Sequence, residues 1–426
     1  MKAIKQILYD FRHQSVISWV TLLGTMLAVF LIMIVVMMQQ IQIAPFAPES
    51  NRDRTLYGRW MAIKFSEENT NVSSSTLIYP VAKQIYDSLP NVEVTSYATH
   101  DLEKLIVSTK GKLPKIVDTK KSDDQYWKIF NHSFIKGKPF DKAQYEADMK
   151  VAVITESLAR DLLGTADVVD QEIMIDHLPY KIIGVIKDVS SLATEAYGQV
   201  FIPLSDDDKR SDGYWNGNTM VYLLAKTPED IPAIRSEVER RYTVLNTQDR
   251  GDGSKFVYKQ QPFTQEMLVN EDGSNNPPRH EEARKKRYFI YVLLLIVPAI
   301  NLSSMTQSRL RRRIGEFGVR RAFGCTRGKI ITDLLTENFI LTLTGGVIGM
   351  ILSLIFTYLF SDIIFVSSFD ERSAASMYVS PEMVFNLPIF LWTLFFCLIL
   401  NILSAGIPAW RASRVNPVVA INMGNK

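Results

Sequence analysis

The residues able to do chemistry are informative first through the sites they do not build. A loop that cradles nucleotide phosphates needs the spacing G-x-x-x-x-G-K-[ST], and no such stretch occurs; Gly251, Gly253 and Lys255 offer only a superficial likeness. His13, His100, His132, His177 and His280 are scattered, with no H-E-x-x-H zinc helix and no G-x-S-x-G nucleophile elbow. Cys325 and Cys397 fall at different depths of the chain's apolar pattern and have no metal-ligand spacing, so both are expected to pack rather than react. Nothing in this pattern supports an enzyme, a metal or a resident cofactor. The N-x-[ST] matches at Asn71, Asn131 and Asn301 are uninformative, since the last falls inside an apolar run.

Chemistry of another kind is concentrated in residues 309–324. Arg309, Arg311, Arg312, Arg313, Arg320 and Arg321 supply fixed charge, Ile314, Phe317 and Phe323 supply apolar knobs, and Gly315, Gly318, Gly324 and Gly328 are expected to cut any long helix into short pieces. A short helix of this kind can enter a groove on a cytoplasmic partner. Ile314, Glu316, Phe317, Arg320, Arg321, Ala322 and Phe323 are the residues expected to make that contact. The arginines before them read as topology anchors or as contacts to lipid headgroups.

The elements that position this stretch are long and apolar. Overall composition, at 47% hydrophobic and 22% charged, resembles that of a soluble protein, but residues 16–38, 288–308, 338–360 and 388–410 are each nearly free of charge. About 20 apolar residues rising 1.5 Å each cross a hydrocarbon core of roughly 30 Å. Four transmembrane helices are therefore expected. The first run is longer than the apolar core of a signal peptide and lacks a following cleavage site, so it reads as an anchor. A net charge of +3, concentrated at membrane edges, argues against nucleic acid as a partner.

Sidedness follows from the short basic flanks. The N-terminal segment, the 309–332 loop and the tail are basic and fall on one side of four spans, which places both termini in the cytoplasm. The expected plan is an amphipathic helix at 1–14, a first span at 15–38, an α+β exterior domain at 39–286 and a second span at 287–308. After the 309–332 loop come a third span at 333–361, a short exterior loop at 362–387, a fourth span at 388–411 and a cytoplasmic tail at 412–426.

Within the exterior domain, 156–163 reads as a helix stopped by Gly164. Residues 172–176 and 180–187 read as strands joined by a turn at 177–179, and 151–154, 200–203 and 221–225 as further strands. Residues 228–245 read as a helix opening near Pro232, whereas 206–213 and 270–278 read as polar loops. The charged pattern from Glu281 is expected to run as unbroken helix into the second span. There, Pro298 and Asn301 would kink the helix and offer it a hydrogen-bonding group. Glu337 suits the positive start of the third span, and Gly345 and Gly349 form a small-xxx-small ridge for close packing on a helix of this chain or of a second copy.

These residues together resemble a known family. Residues 309–322, followed by Phe323-Gly324-Cys325-Thr326-Arg327, Glu337 and Gly345-Gly346-Val347-Ile348-Gly349, are similar to the permease signature of MacB/FtsX-like ABC transporters. Residues 408–421 resemble that family's closing motif, and 151–159, Leu163-Gly164 and 183–188 its periplasmic core domain. The family usually carries a glycine near Asp170 and Gln171, which this chain lacks, so that turn is expected to differ.

The resemblance implies a permease subunit in a bacterial inner membrane, paired with a second copy or a paralogue. Energy would come from a separate cytoplasmic ABC ATPase, with ATP bound there and not on this chain, and the 309–332 loop would transmit its motion to the periplasmic domain. It implies a role in export or envelope transport, with a periplasmic adaptor as a possible further partner. Control of a periplasmic effector such as a cell-wall hydrolase, or lipoprotein release, is the alternative.

Overall fold

The computed structural model describes residues 15–65, 72–210, 217–248, 253–271, 273–312 and 314–361, with 390–396 and scattered positions between 383 and 410. The expected elements at 1–14 and 412–426, 362–387 apart from Met383, and part of the fourth span lie outside the described residues. The chain divides into two compact units, one comprising Ile41–Ala283 with 365–378, the other Met1–Gln40, Arg284–Ile364 and Val379–Lys426.

The first unit is α+β. Its strands are β1 (Thr55–Gly58), β2 (Trp60–Lys64), β3 (Val72–Thr76), β4 (Val92–Thr99), β5 (Glu103–Ser108), β6 (Lys115–Ser122), β7 (Phe134–Gly137), β8 (Val151–Thr155), β9 (Glu172–Ile175), β10 (Leu178–Ile186), β11 (Val200–Pro203), β12 (Thr219–Ala225) and β13 (Lys255–Phe256). The large sheet runs β1-β12-β4-β6-β11-β8-β10-β9-β5, with β7 on β10, and β13-β2-β3 form a small second sheet. Because β5 pairs with both β6 and β9, the strands from β6 through β11, β8, β10 and β9 to β5 close into a ring.

Local chemistry explains these elements. All five residues of β8 are buried, as the unbroken Val-Ala-Val-Ile run of a strand covered on both faces requires. In β9 burial alternates, the period of a strand with one wet face. The β9–β10 turn is Asp176 and His177, both left-handed at φ 47° and 67°, one step N-terminal of the expected 177–179. Pro179 instead pairs with Met174 inside the ladder; its ring fixes φ near −65° and cannot take either left-handed position.

The helices of this unit are α2 (Tyr79–Tyr86), α3 (Tyr126–Ile129), α4 (Lys142–Glu146), α5 (Glu156–Leu163), α6 (Asp206–Lys209), α7 (Ile231–Leu245) and α8 (Gln265–Val269), following α1 (Ser15–Ile43). Gly164 ends α5 at φ 78°, its N–H donating to the Arg160 carbonyl. Leu158, Ala159 and Leu162 of α5 join Val107, Val117, Ile182 and Ile202 in the core of the ring. At the turn where the family glycine is missing, Asp170 takes φ 69°, a conformation aspartate tolerates, and its N–H donates to the Ile182 carbonyl. A second core joins Tyr86 of α2 and Ile234 and Val238 of α7 to Leu56, Leu223 and Tyr97. Pro232 sits in the first turn of α7, and α6, capped by Ser205, occupies part of the segment expected to be loop.

In the helical unit, α9 (His280–Arg312), α10 (Ile314–Ala322) and α11 (Arg327–Leu359) follow one another. Among the described residues, Leu22–Ile43 and Arg327–Leu359 are long and apolar enough to cross a membrane. Helix α9 runs through 281–287 and past positions 298 and 301 without interruption; the side chains of Pro298 and Asn301 lie outside the described residues.

Helix α11 buries Leu341, Gly345, Gly349, Ser353 and Thr357, one residue every four, which is an i±4 ridge. A side chain at Gly345 would meet Thr25 Cβ at 3.2 Å, and one at Gly349 would lie 2.5 Å from the Met26 carbonyl oxygen. The neighbour of the small-xxx-small ridge is therefore α1 of the same chain. The expectation for Glu337 is corrected: α11 starts at Arg327, capped by Thr326, so Glu337 lies in the third turn and is buried. A helix dipole acts within the first turn, and so it does not account for this carboxylate.

Candidate coupling site

The arginine-rich stretch folds as two helices and a turn. The glycines do not act uniformly: Gly315 and Gly318 lie inside α10, Gly328 lies in the first turn of α11, and Gly324 alone takes a left-handed φ, of 87°. A glycine inside a helix costs only about 1 kcal/mol, which the remaining helix formers and end charges offset. Glu316 stands in the first turn and Arg320 and Arg321 in the last, each favourable to the helix dipole. At the C-terminus the N–H groups of Phe323, Gly324 and Cys325 donate to the carbonyls of Val319, Arg321 and Arg320, closing the helix before Thr326 opens the next.

The geometry gives this helix one wet apolar stripe. Val319, Ala322 and Phe323 are exposed and stand at i, i+3 and i+4, with Phe323 87% exposed. One flank is polar: Glu316 pairs with Arg320, which lies 3.9 Å from Asp333 of α11, and Asp333 also pairs with Lys329 at 3.0 Å. Of the expected contact residues, Glu316, Arg320, Arg321, Ala322 and Phe323 thus share one short helix and its closing turn. Ile314 and Phe317 are on the same helix, but their side chains lie outside the described residues. Two participants escaped the sequence reading: Val319, whose spacing from Ala322 and Phe323 was available as a signal, and Asp333, whose role depends on how α10 folds back on α11.

Among the described residues, the α+β unit presents no comparable exposed constellation. Among the described residues no group of three histidine, cysteine, aspartate or glutamate side chains is placed to hold a metal ion. His132 is enclosed by the rings of Tyr126, Trp127 and Phe201, and neither of its nitrogens has a hydrogen-bond partner among the described residues. Burial pushes its pKa down to about 3. His100 accepts from Arg59 Nε at 2.6 Å and faces Asp101 at 2.9 Å, while Arg59 also reaches Glu271 at 3.2 Å. Burial lowers the His100 pKa, opposed by Asp101. These are ties between loops and strands, without a nucleophile beside a base.

The MacB-like periplasmic core domain model matches residues 18–241, and the FtsX-like permease C-terminal model matches residues 288–417. The chain belongs to the MacB/FtsX-like permease family, the permease class of ABC transporters. It is 22% identical over 371 residues to a macrolide export ATP-binding/permease protein MacB of Nitrobacter winogradskyi, covering 86% of this chain and 52% of that one. An uncharacterized ABC transporter permease, YknZ of Bacillus subtilis, is 22% identical over 228 residues, 54% of each chain. The chain thus spans about half the length of these curated relatives. A domain of a putative permease from Porphyromonas gingivalis superposes with a TM-score of 0.37 at 19% identity, over 50% of this chain and 91% of that one; the family membership stands on the sequence matches.

Proposed function

We propose that this chain is the permease subunit of an export system of the bacterial inner membrane, driven by a separate cytoplasmic ABC ATPase that docks on α10. The observation carrying this reading is the exposed stripe Val319, Ala322 and Phe323, held on a capped helix between α9 and α11. An apolar helix face with a charged flank fits a groove on a partner, and the closing hydrogen bonds of α10 and the Arg320–Asp333 contact tie it to α11, so a push on it reaches that neighbour. Four spans with both termini in the cytoplasm put this helix on the ATPase side, as its arginines require. Two permease copies, or one and a paralogue, would each engage one ATPase, and α9 would carry the motion outward. Exporters among the relatives, named for macrolides and pyoverdine, support small-molecule export as the cargo class.

The test is purification of the full chain from its native membrane in mild detergent, with ATP hydrolysis measured on the complex. An ATP-binding protein should co-purify, and Phe323→Glu and the pair Arg320→Glu, Arg321→Glu should each reduce hydrolysis about tenfold or more at unchanged thermal stability, about 1.4 kcal/mol or more in activation free energy. Full activity in these variants, or a complex without any ATPase, would falsify the reading.

A further inference from the structure

The exterior end of α1 is held by side chains rather than by solvent. A helix leaves its last four carbonyls without intrahelical donors. Here Arg52 Nη1 donates to the carbonyls of Ile41 at 2.7 Å and Ala44 at 3.1 Å, and Gln265 Nε2 donates to that of Gln42 at 2.8 Å. The same guanidinium reaches across to the Leu192 carbonyl through Nη2 at 3.3 Å, pairs with Glu49 through Nε at 2.6 Å and stacks 4.2 Å from the centre of the Phe46 ring.

Glu49 continues the path. Its second oxygen accepts from the backbone N–H groups of Glu195 at 2.8 Å and Ala196 at 2.9 Å. Glu195 in turn is held to the sheet: its carboxylate accepts from Tyr222 of β12 at 2.9 Å, and its carbonyl accepts from Tyr126 at 3.2 Å. Arg52 is 3% exposed, Glu49 2%, Glu195 8% and Tyr222 fully buried. Unbroken hydrogen bonds therefore run from the last turn of α1, through one arginine and two glutamates, to a strand in the large sheet. Apolar residues would fill this space at least as stably; what the fork of Arg52 supplies is fixed direction.

We propose that Arg52 and Glu49 are positioning residues for coupling: they bind the last turn of α1 to the Leu192–Ala196 loop so that the two move as one body and displacement reaches β12. This rests on the reading that the helices are driven from the cytoplasm.

Amide hydrogen exchange on the full chain in lipid nanodiscs, read residue by residue, tests it. In the wild type, the Glu195 and Ala196 amides should exchange within about tenfold of those in β12, although they lie in a loop. Exchange more than about 100-fold faster than in β12 overturns the joint without any variant being needed. Arg52→Met should separate the two, with the amides at 41–44 and 195–196 exchanging about 100-fold faster than those of β12 and β4 in the same variant; exchange at those sites still within about tenfold of β12 overturns it. In the complex with its ATPase, ATP should shift exchange at 41–44 and 192–196 together in the wild type. In Arg52→Met it should shift only 41–44, whereas a shift retained at 192–196 refutes the positioning role. If ATP shifts neither site even in the wild type, the ATPase reading fails, and the joint is decided by the ATP-free exchange.

Discussion

Two arginine–glutamate pairs, Glu49 with Arg52 and Glu316 with Arg320, have similar spacing in sequence and opposite settings in the molecule. The first pair's side chains are 1% exposed each and the arginine also donates to carbonyls of two other segments; the second pair's are 37–38% exposed and lie along one helix. Burial turns the same chemistry into a lock, because removing one partner leaves the other charged, desolvated and unpaired. Exposure leaves it a weak tie, screened by water and free to exchange partners. The first pair thus fixes local geometry in the α+β domain, and the second leaves α10 exposed to water.

The contrast is broken most directly at the lock. Arg52→Met is expected to destabilise the exterior domain by about 3–5 kcal/mol, the cost of stranding Glu49. Replacing both Glu49 and Arg52 by Met should recover much of that loss, because no buried charge remains. Denaturant unfolding of the full chain in detergent measures both; a single variant within about 1 kcal/mol of wild type would mean that the pair is an ordinary surface bridge.

The buried imidazole of His132 gives the stability of the α+β domain a pH dependence. His132 has a folded pKa near 3 against about 6.5 in the unfolded chain, so between those values the unfolded state binds the extra proton. Stability is therefore intact above pH about 6.5 and falls as the pH drops toward the folded value, by up to about 4 kcal/mol at pH 3. His132→Phe removes the titrating group and two unpaired buried nitrogens. It is expected to leave stability at pH 7 equal or higher and to flatten this part of the acid slope, which unfolding curves at pH 4 and pH 7 would show. An unchanged slope would place the imidazole in contact with water.

What could be read from the sequence followed the range of the interactions involved. Helix α5 and its stop at Gly164 were legible because the cap is local, and the ridge of Gly345 and Gly349 was legible because its period is that of a helix. Arg52 was not, since a Glu-x-x-Arg in a polar connection reads as a solvated pair until residues 192–196 and 265 cover it, some 140 and 213 positions away. Gly315 and Gly318 misled for the converse reason: their intrinsic cost is real but small, and the end charges and closing hydrogen bonds of α10 override it. For α10 the sequence identified most of the residues that share the helix. It could not identify Asp333, because that contact requires the turn at Gly324.

A smaller effect is expected where α11 meets α1. Gly349→Leu forces a side chain against the Met26 carbonyl and the Phe30 nitrogen, an overpacking expected to cost about 1–3 kcal/mol. Gly346→Ala meets only the flexible tip of Leu394 within 3 Å and should cost less. Thermal unfolding of the two variants in the same detergent ranks them; the reverse order would mean that α11 packs through another face.

The smallest effect on stability is the one that matters most for the comparison. Arg320→Ala removes the exposed pair with Glu316 and the longer contact to Asp333, together worth about 0–1 kcal/mol, so the melting temperature should hardly move. If α10 meets a partner, the same change should lower ATP hydrolysis by the copurified complex, and the loss should shrink as ionic strength rises, because salt already screens the charge in the wild type. Arg320→Lys keeps the charge without the planar fork: retained activity would mean that position 320 acts by charge alone, and lost activity that it makes a forked contact. A variant that melted several degrees lower would show the pair to be structural after all, and the two arginine–glutamate pairs would then differ in exposure without differing in role.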